Sequence, residues 1–541
     1  MNIALTFSGG GFRAAAFSLG SISLLNSIIM EDGTLLDQVT VLSTVSGGTI
    51  TGARYALGKK RDESFAMIYQ SLYQFLSKPQ IVPQALETLA NSNGWNDKRV
   101  RNLVTAFSDI YDRELFAGAK FGDLMTDPVG KGLRHTSFNS TEFATALQFR
   151  FQWSEKILHP GPNESERGII GNNNFRVNAS FAKNIRLADI LAASSCFPGG
   201  FEPINFPDDF VLIGNEGSES LSPGKYPVGL MDGGIVDNQG IEPILLAEAR
   251  MKRNRGDLPG EAKPNVIDLV MVCEVASPDM DGYRSTQQTS SSWWRALTPK
   301  TIAIVNSILL LLSLGGGFWS YIANSKITLI LSTVIFTINL IVGWSFNLIN
   351  TLAKNSGIPA EFLKPLGKLL KLKLFIYENL ITNRFNSVLM LTMSVFLKHV
   401  RRLNYNVLYK DVTWKNRRIM NAIYELKSDE SQLKKKITTG LLPRSLSPSK
   451  LIEANSDLAA SMGTTLWFTK TELEETKMLE SIIACGQYNT CWNLLEYIHL
   501  LKLNNENTNA EHEKLIACEN QLNELWAKFQ TNPKWLLNKF D

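Results

Sequence analysis

Ile3-Ala4-Leu5-Thr6-Phe7-Ser8-Gly9-Gly10-Gly11-Phe12-Arg13-Ala14-Ala15-Ala16-Phe17 is the stretch on which the fold turns. Ile3–Phe7 is short and largely apolar, as a buried strand is. Three glycines follow, then an alanine-rich helical stretch from Phe12 to about Ile29. Strand, glycine turn and helix open an α/β unit. Consecutive glycines let backbone N–H groups point one way with no Cβ in the path, and the next helix adds its positive end. Such a turn serves as an oxyanion hole or as a phosphate cradle. Gly9-x-Gly11-x-x-Ala14 also fits a dinucleotide-binding fingerprint, which expects an acid at the end of the second strand to hold a ribose. Here that strand ends in Ser43-Thr44-Val45-Ser46, with no acid.

Outward from this turn, residues 1 to about 280 alternate strand-like and helix-like segments. Gln38–Thr44 is the next apolar run. Residues 62–125 predict helices, with Met67, Leu72, Phe75, Val100, Leu103, Val104 and Phe107 at helical spacing. Strands are expected at Glu142–Phe151 and Val266–Val275, and a surface loop at Lys252–Lys263.

Two apolar stretches follow, Thr301–Ala323 and Ile327–Ile349, uncharged inside and separated by Asn324-Ser325-Lys326. About 20 apolar residues cross a bilayer as a helix, so residues 301–350 predict a transmembrane helical hairpin. The competing reading is a buried helical pair in a soluble core. Trp293, Trp294, Trp319, Tyr321 and Trp344 lie toward the span ends, as interfacial aromatics do. Arg295, Lys300, Lys354, Lys364 and Lys368 flank the pair, against Lys326 alone in the turn, which places both flanks in the cytoplasm. Gly315-Gly316-Gly317 would let the two helices approach closely. Residues 355–541 predict a mostly helical region, with Phe375–Val400 apolar on one side and a polar break at Asn504–Asn509. Leu515, Cys518, Leu522, Leu525 and Phe529 permit a short coiled-coil seam or ordinary packing.

Length and charge narrow the field. A chain of 541 residues exceeds one ordinary core, so two or more structural units are expected. A net charge of +4 is too small to argue for nucleic acid. Cys196, Cys273, Cys485, Cys491 and Cys518 show no CxxC pair or metal-ligand spacing, and read as reduced, buried thiols. No acidic cluster suggests a metal. Met1-Asn2 runs straight into a strand, without the basic and apolar regions of a signal peptide.

Two further motifs carry chemistry. Thr44-Val45-Ser46-Gly47-Gly48 follows an apolar strand and precedes a helix, where a nucleophilic serine stands on a sharp elbow. The usual pattern is G-x-S-x-G; here the glycines follow the serine and Thr44 stands two positions before it. Asp232-Gly233-Gly234 follows the apolar run Val228–Met231. A carboxylate at a strand end can act as base if burial raises its pKa, though Asp-Gly is also a common hairpin turn.

In this order, Gly9-Gly10-Gly11-Phe12-Arg13, Ser46-Gly47-Gly48 and Asp232-Gly233-Gly234 with Asn238 and Pro243 resemble the patatin-like phospholipase family. Phe138–Phe143 and Leu191–Pro203 look similar too, and the likeness resumes around Met462–Phe468 and Cys485–Ile498. The resemblance implies a three-layer α/β/α sheet domain over 1–290, with the hairpin inserted and region 355–541 helping to complete the fold around 460–500. It implies a Ser46–Asp232 dyad without histidine, in keeping with five histidines (His135, His159, His399, His499, His512) that sit in no motif. The oxyanion hole would come from Gly9, Gly10, Gly11, Phe12 and Arg13, with Arg13 fixing the loop or meeting a lipid phosphate. Gly47 and Gly48 would shape the elbow. The expected activity is hydrolysis of fatty-acyl esters of membrane phospholipids or related lipids, with no cofactor and no metal. The expected partners are membrane lipids and the bilayer, with oligomeric state open. The expected place is a two-pass protein of the bacterial inner membrane, catalytic domain in the cytoplasm. The alternatives are a catalytically inactive patatin-like membrane scaffold or effector and, more remotely, a nucleotide-binding oxidoreductase.

Overall fold

In the computed structural model the described residues are 1–79, 81–91, 99–125, 132–155, 168–174, 176–177, 179–214, 228–256, 265–276, 292–355, 371–503 and 510–540. The chain forms two compact units, Met1–Met280 with Met393–Asp541, and Asp281–Thr392.

A ten-stranded sheet organises the first unit. Its strands are β1 (Ile3–Phe7), β2 (Val39–Val45), β3 (His135–Glu142), β4 (Gln148–Ser154), β5 (Gly168–Gly171), β6 (Arg176–Val177), β7 (Ile204–Phe206), β8 (Val228–Asp232), β9 (Leu269–Glu274) and β10 (Arg418–Ala422). The main order is β10-β9-β1-β2-β3-β4-β5-β6, with β8 pairing β3 and β7. The strands from β10 to β3 are parallel. Parallel strands need cover on both faces, and the side chains alternate accordingly. Leu269, Met271 and Cys273 enter one apolar cluster with Ile3, Leu5 and Phe7, while Val270 and Val272 join Ala4 in a second. The first cluster packs beneath α1 (Gly11–Ser27) and α2 (Gly47–Lys60), the second beneath α4 (Ile241–Asn254); α3 (Leu187–Ser195) lies with the first. This is the three-layer α/β/α arrangement.

The division of the chain differs from the sequence reading of 1–290, 301–350 and 355–541. Strand β10 lies within the mostly helical region after residue 355 and pairs in parallel with β9, Val270 against Arg418 through Glu274 against Ala422. Five residues with Arg418 and Asn421 among them carry no clear period, and pairing with β9 supplies what propensity does not. The helix Met478–Leu503 packs along α1, where Gly20 and Gly486 leave room: a Cβ on Gly20 would stand 2.0 Å from the Ile483 carbonyl oxygen.

Other details shift. The strand expected at Glu142–Phe151 is the end of β3, a turn with Ala146 at φ 54°, and the start of β4. Lys252–Asn254 are the last turn of α4 rather than loop. Leu515, Cys518, Leu522 and Phe529 are buried in the main core, so ordinary packing is the correct reading. Asn504–Asn509, His159, Lys364, Lys368 and residues 257–263 of the expected loop lie outside the described residues.

The second unit contains α5 (Pro299–Ile322), α6 (Lys326–Asn355) and α7 (Leu374–Met390). By length and composition α5 and α6 are each able to cross a membrane. They pack as a pair, but of the three consecutive glycines only Gly316 faces the partner, its Cβ position 2.8 Å from Ser332 Oγ. Gly315 and Gly317 face no atom within 4 Å, because successive helical residues turn by about 100°.

Candidate active site

Pairing register brings the two signal residues together. Parallel to β3, strand β2 runs out with Val45 opposite Asn139. Antiparallel on that same edge, β8 comes in with Asp232 opposite Ser140, the next residue. Ser46 leaves the sheet where Asp232 arrives.

Ser46 has φ 53° and ψ −125°, a strained conformation for a residue with a side chain. Neighbouring bonds hold it there. Its N–H donates to Ser194 Oγ at 3.0 Å, and Ser194 Oγ donates to the Asn139 carbonyl at 2.7 Å. Thr49 N–H donates to the Ser46 carbonyl at 2.8 Å. Close packing demands the two following glycines: a Cβ on Gly47 would stand 2.0 Å from the Gly11 carbonyl oxygen, and one on Gly48 2.6 Å from that of Phe7. The unusual Thr44 is accommodated by Gly52, whose absent Cβ would lie 2.3 Å from the Thr44 methyl.

Asp232 is equally fixed. Its N–H donates to the Cys196 carbonyl at 2.9 Å, its own carbonyl accepts from Thr141 Oγ1 at 2.9 Å, and its Oδ1 accepts the Gly234 N–H at 2.7 Å. The nearby Ser46 hydroxyl favours the charged form of the same carboxylate. Burial pushes the Asp232 carboxyl up to about 6, and the bonds from Ser46 and Gly234 pull it part of the way back. It is thus a buried carboxylate of raised pKa close to a hydroxyl.

In the glycine turn, Gly10 has φ 148° and Gly11 φ 61°. The five candidate donors do not stand alike. Gly9 N–H donates to the Asn238 carbonyl at 3.0 Å and Phe12 N–H to the Thr465 carbonyl at 2.7 Å, so both are spent. The Arg13 guanidinium donates to the Met462 carbonyl and, at 3.4 Å, to Thr464 Oγ1, tying residues 462–465 to the turn. Burial lowers Arg13 to about 10. Of the two roles weighed for Arg13, fixing the loop is what these bonds do. Among the described residues the N–H groups of Gly10 and Gly11 have no protein acceptor. Ser46 Cβ lies 3.3 Å from the Cβ position of Gly9, which sets the turn directly against the elbow.

The sequence reading did not single out Ser194, Asn139, Gly52 or Thr465 for these roles. Ser194 lies inside the Leu191–Pro203 stretch and Thr465 inside Met462–Phe468, so a signal was present, but only as motif likeness. His135 begins β3, four positions from Asn139, or about 13 Å away. Burial with Arg250 and Arg134 nearby pushes it down to about 3. Among the described residues no three His, Cys, Asp or Glu side chains gather as a metal site would need.

Residues 5–245 match the family model described as patatin-like phospholipase. No curated protein matches the chain. Among solved structures, human GIVD cytosolic phospholipase A2 is similar at 12% identity and a TM-score of 0.31. The match covers 51% of this chain and 46% of that one, so this chain spans just under half the length of that structure.

Proposed function

As residues 5–245 of this chain form a patatin-like phospholipase domain, we propose that the protein is a membrane-anchored serine acyl hydrolase acting on fatty-acyl esters of membrane phospholipids or related lipids. The observation that carries this reading is the strand register that brings Ser46 and the buried Asp232 carboxylate to one sheet edge, with the glycine turn set against Ser46. Ser46 Oγ attacks the ester carbonyl carbon while its proton passes to Asp232. The tetrahedral oxyanion is held by the N–H groups of Gly10 and Gly11, each such donor being worth about 3 kcal/mol in the transition state. Collapse breaks the bond to the lysolipid or alcohol, which takes the proton back from Asp232 and leaves an acyl-Ser46. Water then gives a proton to Asp232 and attacks the acyl carbon, and the Ser46 Oγ–acyl bond breaks as Oγ takes that proton back, releasing the fatty acid.

The hairpin of α5 and α6 anchors this chemistry to its substrate. Its large side chains are turned outward, with Leu311 at 69% and Phe318 at 70% exposure, as lipid-facing residues are. The basic flanks, with Arg295 and Lys300 before the first span, support a cytoplasmic position for both ends.

A fluorophosphonate probe tests the reading, since it reacts with an activated serine. Wild type should label and Ser46→Ala should not, and lipid extracts should show lysolipid and free fatty acid only with the wild type. A catalytically inactive scaffold would leave both proteins unlabelled and both lipid profiles the same.

A further inference from the structure

The unit Asp281–Thr392 exposes a second apolar surface besides the hairpin. Along α7, Ile381 (65% exposed), Phe385 (65%), Val388 (58%) and Leu389 (40%) fall at i, i+4, i+7 and i+8, one side of a helix. The polar residues Asn379, Asn383 and Asn386 fall on the other. We propose that α7 is an interfacial helix, lying along the bilayer surface beside the hairpin with its Ile381–Phe385–Val388–Leu389 side sunk among the acyl chains. The proposal rests on the anchor reading above and adds a second, separately placed lipid contact to it.

Three observations favour lipid as the occupant. First, α7 starts where the hairpin starts. Leu374 N–H donates to the Leu297 carbonyl at 2.9 Å, and Arg295 pairs with Glu378 at 3.1 Å, both just ahead of Pro299. The end of a spanning helix sits at the membrane surface, so α7 begins there too. Second, α7 cannot itself span. The helix runs on past Met390, but Arg384 and Lys398 bound an uncharged run of only 13 residues, 385–397, too short to cross. A helix that starts at the interface, is apolar on one side and cannot cross must run along the surface. Third, the short turn Trp293–Ala296 beside it exposes Trp293 (79%) and Trp294 (48%), the side chains that prefer the headgroup level. Arg384, with Lys371 and Lys373 ahead of the helix, is placed to reach anionic headgroups.

Spin-label depth measurements on the full chain test this, in vesicles of phosphatidylcholine with a minority of phosphatidylglycerol. Single nitroxides are attached at Phe385→Cys, Val388→Cys, Asn386→Cys and, in the hairpin, Leu311→Cys. The five native cysteines are buried, and protein without an introduced cysteine checks that they take no label. Labels at 385 and 388 should collide more with dissolved oxygen than with a water-soluble nickel chelate, at a depth of roughly 5–10 Å. The label at 386 should show the reverse. Equal nickel access at 385 and 386 overturns the proposal. So does exclusion of both relaxants at 385 with spin–spin broadening, which would mean that a second copy covers this side. The label at 311 separates the two readings. If it lies deep while 385 is in water, the anchor stands and the interfacial helix falls; if both are in water, the anchor reading fails and takes the proposal with it.

Discussion

Ile3–Phe7 and Leu309–Leu314 are both rich in large aliphatic side chains, and they meet opposite surroundings. In β1 the apolar residues are 0–1% exposed, covered by helices on both sheet faces. In α5, Leu309, Leu311, Leu312 and Leu314 stand 39–69% exposed. At about 25 cal/mol per Å² the first arrangement collects its stabilisation from the protein itself. The second leaves the same gain to be collected from another apolar phase. Apolar content alone therefore does not define a core; the difference lies in what the rest of the chain brings to cover it. In the function proposed above, the unit with the covered sheet is assigned the chemistry and the unit with bare helices the means of reaching lipid.

The largest test bears on the first region. Ser46→Ala and Asp232→Asn should each lower ester hydrolysis by at least about a thousandfold, with the double variant little worse than either single, because the two act as a unit. Turnover of a soluble ester, with circular dichroism to check folding, measures this. Retention of more than a few per cent by Ser46→Ala would remove Ser46 as nucleophile.

The next test sets the regions side by side. Phe17→Ala, in the fully buried face of α1, should cost about 3–5 kcal/mol in denaturant unfolding. Leu311→Ala should change stability in detergent by no more than about 0.5 kcal/mol, since no protein cavity opens. Similar losses at both would make α5 a core helix after all.

A smaller effect is expected from replacing residues 301–350 by a short polar linker. Activity on bilayer lipid should fall at least about tenfold more than activity on a soluble ester, the low end of gains from tethering. Equal losses, with Ser46 still reacting with the probe, would assign the hairpin to folding.

The finest test is pH. Asp232 must be ionised to accept a proton, so kcat/KM should fall as pH drops through about 6. The sign for stability is opposite. The folded value is raised above the ordinary carboxylate value of 3.8, so ionisation weighs against the fold and this loss grows as pH climbs to about 6. Asp232→Asn should therefore melt higher than wild type at pH 7, and the difference should shrink toward pH 4. A melting difference independent of pH would contradict the raised value.

Much of this was legible in the chain. Ile3–Phe7, the glycine turn and the Ser46 elbow are local patterns, in which adjacent residues state their own geometry. The hairpin was legible because charge is missing over long runs. What escaped depends on distant partners. Nothing near Arg418 announces a strand, because its ladder partner is β9, far back in the chain. The Gly9 and Phe12 N–H groups looked equivalent to those of Gly10 and Gly11 until Asn238 and Thr465 came to rest against them. Ser194 reads as an ordinary helix serine, and only the fold carries its Oγ to the backbone of Ser46.

Thr465 has a consequence in time. A ribosome delivers Ser46 and Asp232 early, then α5 and α6, and only afterwards β10 and residues 462–465. Until those last residues emerge, Phe12 N–H has no Thr465 carbonyl to meet, Arg13 has no Met462 carbonyl, and the edge of β9 is bare. Both members of the dyad therefore exist in the nascent chain before the turn that would serve them is clamped. By the time it is, the hairpin has already left the ribosome. A chain broken off at residue 392 would hold Ser46 and Asp232 without that clamp, so in the function proposed above such a fragment should be idle.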